Sequence, residues 1–355
     1  MWQGIVGHDD VVEQFRRRYA SGRVTGTFLF VGPGGVGKRL FAGKLAQALL
    51  CRRGTAPTLD PCGTCEDCRL VEGGSHPDLI GVAKPDDKSD IPLELLIGRK
   101  ENRNHEGLCH DIAMKPFRGG RRIAIIDDAD FLNEEGANAL LKTLEEPPPK
   151  SMLILIGTGS DRQLPTIRSR AQLIRFKPLE LADLSALIRS SGLADSAEAA
   201  ERLARLAEGS LAQAGRLADP ALAAFRRDWL ERLSGGEWDS QASAKMLVAF
   251  AEDAGKEAPL RRERLRLGIG FLTEFFRALM HLAAGAAPRD DAELEAAART
   301  AARDMTNDPE TLAAAIERCL DAVEHVDRNA HHVTLVDALC DELGTILVPA
   351  PTPVR

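Results

Sequence analysis

Aromatic residues are scarce, with 3 Trp, 1 Tyr and 12 Phe in 355 residues. A surface that grips single strands by stacking bases on rings needs more of them. An excess of positive charge is also missing. Lys and Arg number 46 against 53 Asp and Glu, for a net charge of −7. A protein that holds long nucleic acid by itself is usually basic, so any DNA contact here should be local or shared with partners. Apolar runs are short, as in Met152-Leu153-Ile154-Leu155-Ile156, and none approaches the ~18 residues of a membrane span. No membrane contact is expected. The opening Met1-Trp2-Gln3-Gly4 has neither the charged nor the apolar region of a signal peptide, which implies a cytoplasmic protein. The 7 cysteines are an odd number with four of them clustered, a pattern for a reducing compartment and metal binding rather than a disulfide framework.

What is present suits a soluble protein of two or three domains, with 44% hydrophobic and 28% charged residues. The first half alternates strand and helix. Thr27-Phe28-Leu29-Phe30-Val31, Ile123-Ala124-Ile125-Ile126 and Met152 to Ile156 are continuous apolar runs. Such runs belong to parallel strands covered on both faces. A helix is expected from about Val36 to Leu50, with Leu40, Phe41, Leu45 and Leu49 inward. A second should start at an Asn133 N-cap, carry Ala137, Leu140, Leu141 and Leu144 on one face, and end before Pro147-Pro148-Pro149. Strands separated by helices give an α/β module with a parallel sheet flanked by helices. Past Pro178 the strand signals disappear. Short helices broken at Gly192, Gly209 and Pro220 lead to a Ser234-Gly235-Gly236 linker. Beyond it, Leu265, Ile269, Leu272, Phe276 and Leu279, and then Leu312, Ile316, Cys319, Val323 and Val326, mark packed helices. The expected division is residues 1–177, 178–235 and 236–350, with a frayed tail at Pro349-Ala350-Pro351-Thr352-Pro353.

Gly32-Pro33-Gly34-Gly35-Val36-Gly37-Lys38 follows a strand and opens a helix. This is a P-loop up to its last position: glycines let backbone N–H groups point at phosphates, and the lysine reaches the outer ones. The next position should be Ser or Thr, whose hydroxyl holds Mg²⁺. Here it is Arg39. A guanidinium cannot coordinate a cation and adds positive charge where the metal belongs; alternatively it points to solvent and only the hydroxyl is lost. Asp127-Asp128-Ala129-Asp130 ends the second strand, in the Walker B place. Asp127 fills the metal-holding position. Asp128 stands where a water-activating glutamate is usual and is one methylene shorter, and a retraction of about 1 Å can cost ~10²-fold in rate. ATP with Mg²⁺ is therefore doubtful as a working cofactor in this site.

Cys51, Cys62, Cys65 and Cys68 are separated by ten, two and two residues. Two-residue gaps let thiolates converge on one tetrahedral ion, and Cys51 closes the set from a helix end. Four soft ligands leave no open position, so a zinc here would be structural. Cys109, Cys319 and Cys340 read as ordinary thiols. His105, Cys109 and His110 are not expected to form a second metal site, and His76-Pro77-Asp78 reads as a structural turn. The basic runs Arg16-Arg17-Arg18 and Arg261-Arg262-Glu263-Arg264 read as solvated helix faces.

The P-loop, the Asp127 to Asp130 box, Asn138-Ala139-Leu140-Leu141-Lys142-Thr143-Leu144-Glu145-Glu146-Pro147-Pro148 and Leu164-Pro165-Thr166-Ile167-Arg168-Ser169-Arg170 together resemble a bacterial clamp-loader subunit of the AAA+ superfamily. The likeness is dense over residues 1–176 and thinner beyond. It implies an α/β nucleotide-binding module with a zinc insertion at residues 51–68, a small helical lid and an all-α collar that joins subunits in a ring. It implies as partners the gamma/tau ATPase subunits, the delta subunit, the sliding clamp and, through the complex, primer-template DNA. It also gives roles to residues. Arg170 matches the arginine of a Ser-Arg-Cys motif that reaches ATP on the neighbouring subunit, although Ala171 replaces the cysteine. Thr158 matches a sensor position. In Gly209-Ser210-Leu211-Ala212, Ala212 stands where ATPase subunits carry an arginine that senses the γ-phosphate, and Arg216 lies one turn on. Arg39, Asp128 and Ala212 point to delta-prime, which generally does not hydrolyse ATP, rather than to a gamma/tau-type motor. An AAA+ protein used only as a binding scaffold is the third reading. Nothing resembles a polymerase active site, so any tie to DNA polymerase would be by membership of the holoenzyme.

Overall fold

The computed structural model describes residues 2, 4–53, 58–118, 120–235, 238–286, 291–303, 305 and 308–347. The tail at 349–353 and Gly236 of the expected linker lie outside them. The chain divides into two compact units, Met1–Gly215 and Arg216–Arg355.

In the first unit the elements run α1 (Asp9–Ala20), β1 (Gly26–Val31), α2 (Lys38–Leu50), α3 (Glu66–Glu72), β2 (Leu79–Val82), α4 (Leu93–Ile97), α5 (Leu108–Ala113), β3 (Arg122–Ile126), α6 (Glu134–Glu145), β4 (Ser151–Gly157), α7 (Pro165–Arg168), β5 (Gln172–Arg175), α8 (Leu181–Ser190) and α9 (Ala197–Leu206). The unit boundary falls inside α10 (Leu211–Leu217). The five strands form one sheet in the order β2-β3-β4-β1-β5, and every pairing is parallel. This is the parallel sheet flanked by helices expected from the three apolar runs, which are its central strands.

Side chains alternate along those strands. Phe28, Phe30, Met152, Ile154 and Ile156 enter a core shared with α1 and α2. Leu29, Val31, Ala124, Ile126, Leu153 and Leu155 enter the opposite core with α4, α5 and α6. Several of the scarce aromatics lie beneath the phosphate loop. Phe41 of α2 lies 5.9 Å from Phe30 and 5.2 Å from Phe176 just past β5, so helix, strand and loop are locked together. Asn133 caps α6 as expected, its Oδ1 accepting the Gly136 N–H at 2.8 Å. Leu40 corrects the inward set on α2: it is 53% exposed. Phe41, Ala42 and Leu45 already fill the core face, and one residue earlier is a turn of ~100°.

The second unit is helical: α11 (Pro220–Ser234), α12 (Ser240–Glu252), α13 (Ala258–Ala283), α14 (Ala292–Ala301), α15 (Pro309–Asp327) and α16 (His332–Leu347). Pro220 begins α11 at its first turn, where its missing N–H costs nothing. Leu265, Ile269, Leu272, Phe276 and Leu279 are all buried, as are Leu312, Cys319 and Val326, around Trp229. Ile316 and Val323 sit half-buried against the same core. Cys319 and Cys340 are fully buried, and burial pushes both thiols up to about 12. They are packing residues. No helix of the described residues is long and apolar enough to cross a membrane.

Candidate functional site

The turn between β1 and α2 needs backbone that only glycine adopts easily. Gly32, Gly35 and Gly37 have φ of 153°, 76° and 101°. At Gly32 a Cβ would stand 2.2 Å from the Phe176 carbonyl oxygen, so no side chain fits. His8 was not foreseen. It is buried, and its Nε2 lies 2.7 Å from the Val36 carbonyl oxygen, bracing the loop from below. Its only sequence signal is position in Gly7-His8-Asp9, which carries no periodicity.

The loop lines an open cleft of ≈ 490 Å³ with Gly34, Gly35, Gly37, Lys38, Asp127, Asp128 and Thr158, and with Arg39, Asp130 and Ala212. Except for Gly32, which lies beneath the loop, the residues read as nucleotide-binding thus converge on one place. Lys38 is buried, and its Nζ donates to the Gly32 and Pro33 carbonyl oxygens at 2.6 Å each. Burial lowers its pKa, opposed by the charges of Asp130 and Asp127. Asp130 anchors the far wall: it accepts the Thr158 N–H at 2.8 Å and the Thr158 hydroxyl at 2.6 Å, and also the Gln163 amide. Thr158 is thus tied to the acidic box. Asp128 sits at φ 55°, a strained value for a non-glycine residue. Although it is exposed overall, its carboxyl is raised by lost hydration and then by the Asp127 charge.

Arg39 does not simply face solvent. Its guanidinium lies 3.3 Å from the Asp127 carboxylate, the oxygen donor that a P-loop site gives to Mg²⁺. The hydroxyl ligand is missing and the carboxylate ligand is paired. These residues do not fit a bound magnesium ion.

Across the cleft, Ser210 and Ala212 press on the loop. A Cβ on Gly35 would come within 2.4 Å of Ser210 Oγ and 2.6 Å of Ala212 Cβ. The alanine thus occupies close quarters above the phosphate loop. Arg216 lies 4.0 Å from Glu263.

Arg170 follows α7. Its Nε donates to Glu145 at 2.6 Å, and its terminal nitrogen donates to the Thr166 carbonyl at 2.9 Å and to Ser169 Oγ at 3.0 Å. The guanidinium rests on its own chain at the end of α6, with the side chain 30% exposed.

The four clustered cysteines meet. Cys51 caps the end of α2, Cys65 caps α3, and all four Sγ atoms lie within 4.8 Å of one another. Three of the separations are 3.6, 3.8 and 3.9 Å. Zn–S bonds of about 2.3 Å in a tetrahedron place sulfurs about 3.8 Å apart, so the set fits a structural zinc. Backbone N–H groups of Thr64 and Cys65 pull the Cys62 thiol down to about 6, whereas burial pushes the Cys51 and Cys68 thiols up, so the fit to zinc rests on the spacing of the sulfurs. A network missed in the sequence supports this corner. Asp67, between two of the cysteines, is buried with Arg118 at 2.6 Å, Arg52 at 3.3 Å and His76 at 3.4 Å. Asp78 accepts the Phe117 and Arg118 N–H groups at 2.7 and 2.9 Å, so the His76-Pro77-Asp78 turn is indeed structural.

The family model described as DNA polymerase III, delta subunit, matches residues 7–180. Over these residues the chain is similar to DNA polymerase III clamp-loader subunits. The tau subunit of Escherichia coli K12 is 33% identical over 254 residues, covering 70% of this chain and 36% of its own length. The delta-prime subunit of Pseudomonas aeruginosa is 37% identical over 191 residues, covering 54% of this chain and 55% of its own. Delta-prime of Bacillus subtilis is 34% identical over 158 residues, 44% of each. The chain thus spans from 36% to 55% of these curated relatives. A solved gamma subunit-related protein of Thermotoga maritima aligns over 94% of this chain and 98% of its own at 15% identity and a TM-score of 0.39. Delta-prime and tau/gamma both appear among the relatives of this module, so its own residues must decide between them.

Proposed function

We propose that the chain is a delta-prime-like clamp-loader subunit of the DNA polymerase III holoenzyme. It would act as a stator that helps load the sliding clamp onto primed DNA and does little chemistry of its own. The carrying observation is Arg39, which replaces the hydroxyl ligand of the hydrolytic metal and brings its guanidinium 3.3 Å from the carboxylate ligand, Asp127. The exposed, shortened Asp128 and the alanine at 212 support the same reading. Cys51, Cys62, Cys65 and Cys68 would hold a structural zinc. The helices past Pro178 up to Gly215 would serve as lid and the second unit, with α11 in its core, as collar, and the partners would be gamma/tau, delta and the clamp, in the cytoplasm.

Arg170 is the residue we assign to act, on ATP bound by a neighbouring subunit. Its resting contact with Glu145 is a half-exposed ion pair, of a kind worth about 0–1 kcal/mol. An arginine finger supplied in trans is worth 10³–10⁵-fold in other systems, roughly 4–7 kcal/mol. Letting go of Glu145 is therefore a small obstacle.

The test is steady-state ATP hydrolysis by the pure chain, with Lys38→Ala as the contamination control. We expect no turnover above that control. Clear Lys38-dependent turnover would make the chain a gamma/tau-type motor instead. In the reconstituted complex, Arg170→Ala should lower clamp-stimulated turnover and leave assembly intact; unchanged turnover removes Arg170 from the mechanism.

A further inference from the structure

We infer that Arg39 stands in for the divalent cation, so that this cleft takes a nucleoside triphosphate without magnesium. The inference rests on the reading of the cleft as a nucleotide site that has lost hydrolysis. Three observations carry it.

First, the phosphate cradle itself is intact. Gly32, Gly35 and Gly37 keep the backbone geometry of the loop, Lys38 remains at its base, and the position of Gly34 opens onto free space. A site that had abandoned phosphate binding has no reason to hold a lysine amine buried among carbonyl oxygens.

Second, Arg39 halves the negative charge of the cleft. The charged residues lining the cleft are Lys38, Arg39, Asp127, Asp128 and Asp130, a formal balance of 2 − 3 = −1. Without Arg39 it would be −2, and a polyanion would enter only with a metal. Asp130 is also held by Thr158 and Gln163, and Asp127 is neutralised by Arg39 at 3.3 Å. Arg39 thus faces a phosphate, beside the buried Lys38, with two of the three carboxylates already engaged.

Third, Arg39 is both present in the cleft lining and open to it, with its side chain 79% exposed. A guanidinium has five N–H donors in a planar fork suited to phosphate oxygens. One edge on Asp127 leaves donors for a ligand. A dication brought to Asp127 would meet the Arg39 charge already 3.3 Å from that carboxylate, so magnesium should not improve binding.

The test is calorimetric titration of the full chain with ATP, once with magnesium and once with excess EDTA. The wild-type dissociation constants should agree within about twofold. In Arg39→Thr, which restores a hydroxyl and frees Asp127, binding in EDTA should weaken by about tenfold or more, the scale of one lost charge-assisted contact, and magnesium should recover it. Zinc content and amide exchange check that the variant is folded; Arg39 is exposed enough that it should be. Wild-type binding that requires magnesium overturns the substitution by Arg39 and leaves the nucleotide site standing. Absence of ATP binding under both conditions, in both proteins, overturns the nucleotide site as well. Neither result touches the assignment of Arg170, which is tested in the assembled complex.

Discussion

Replacing Gly35 with alanine probes how the helix above the cleft bears on the phosphate loop. The new Cβ would meet Ser210 Oγ at 2.4 Å, Ala212 Cβ at 2.6 Å and the Ala212 nitrogen at 3.2 Å, on backbone with φ of +76°. The left-handed conformation costs about 1–2 kcal/mol for a residue with a Cβ. Overpacking adds about 1–3 kcal/mol. The sum, about 2–5 kcal/mol, is a large part of the 5–15 kcal/mol that holds a typical domain, but the strain has an outlet. Ser210 Oγ accepts the Gln213 N–H at 3.1 Å, and moving that hydroxyl aside frees the first turn of α10. Native-state hydrogen exchange read by mass spectrometry should therefore show Gln213 losing protection by about 30-fold or more, while the β4 amides keep theirs. Gly34→Ala is the internal control, because a Cβ there meets nothing within 4 Å. Equal protection of Gln213 in wild type and Gly35→Ala, with an unchanged urea midpoint, would refute the claim that α10 presses on the loop.

Purified protein should contain about one zinc per chain by atomic emission, since four thiols converge at tetrahedral spacing; fully folded protein without metal would remove the zinc. Cys68→Ser should lower zinc content and open the segment around α3 to exchange, leaving the sheet protected. Asp78→Ala should destabilise the first unit by about 3–5 kcal/mol in urea unfolding, because it strands two backbone donors and leaves Arg122 without its buried partner at 3.4 Å. A loss below about 1 kcal/mol would mean water replaces the carboxylate.

Much of the first unit was legible because its central strands are buried on both faces and so read as uninterrupted apolar runs. The edge strands β2 and β5 left no such trace. Each has four residues, and only Val82 and Ile174 are buried. The P-loop and the cysteine cluster were legible because their chemistry is contiguous in sequence. The pairings that give them meaning were not. Arg39 meets Asp127, Asp130 meets Thr158, and Asp67 meets His76 and Arg118 only once the sheet has brought distant segments together. Leu40 misled for a related reason: α2 is apolar on several sides, and periodicity alone could not tell its core face from the wall of the cleft. The resting place of Arg170 on Glu145 likewise depends on where α6 ends in space.

The residues that depart from an ATPase share one property. Arg39, Asp128 and Ala212 are all exposed, on loops and helix starts around the cleft rather than in the two layers that clamp the sheet. Evolution could therefore change each of them without disturbing the folding of the module. Under the function proposed above, one subunit of a ring would in this way drift out of its enzymatic role while keeping its shape, its place among its neighbours and the side chain it lends to them.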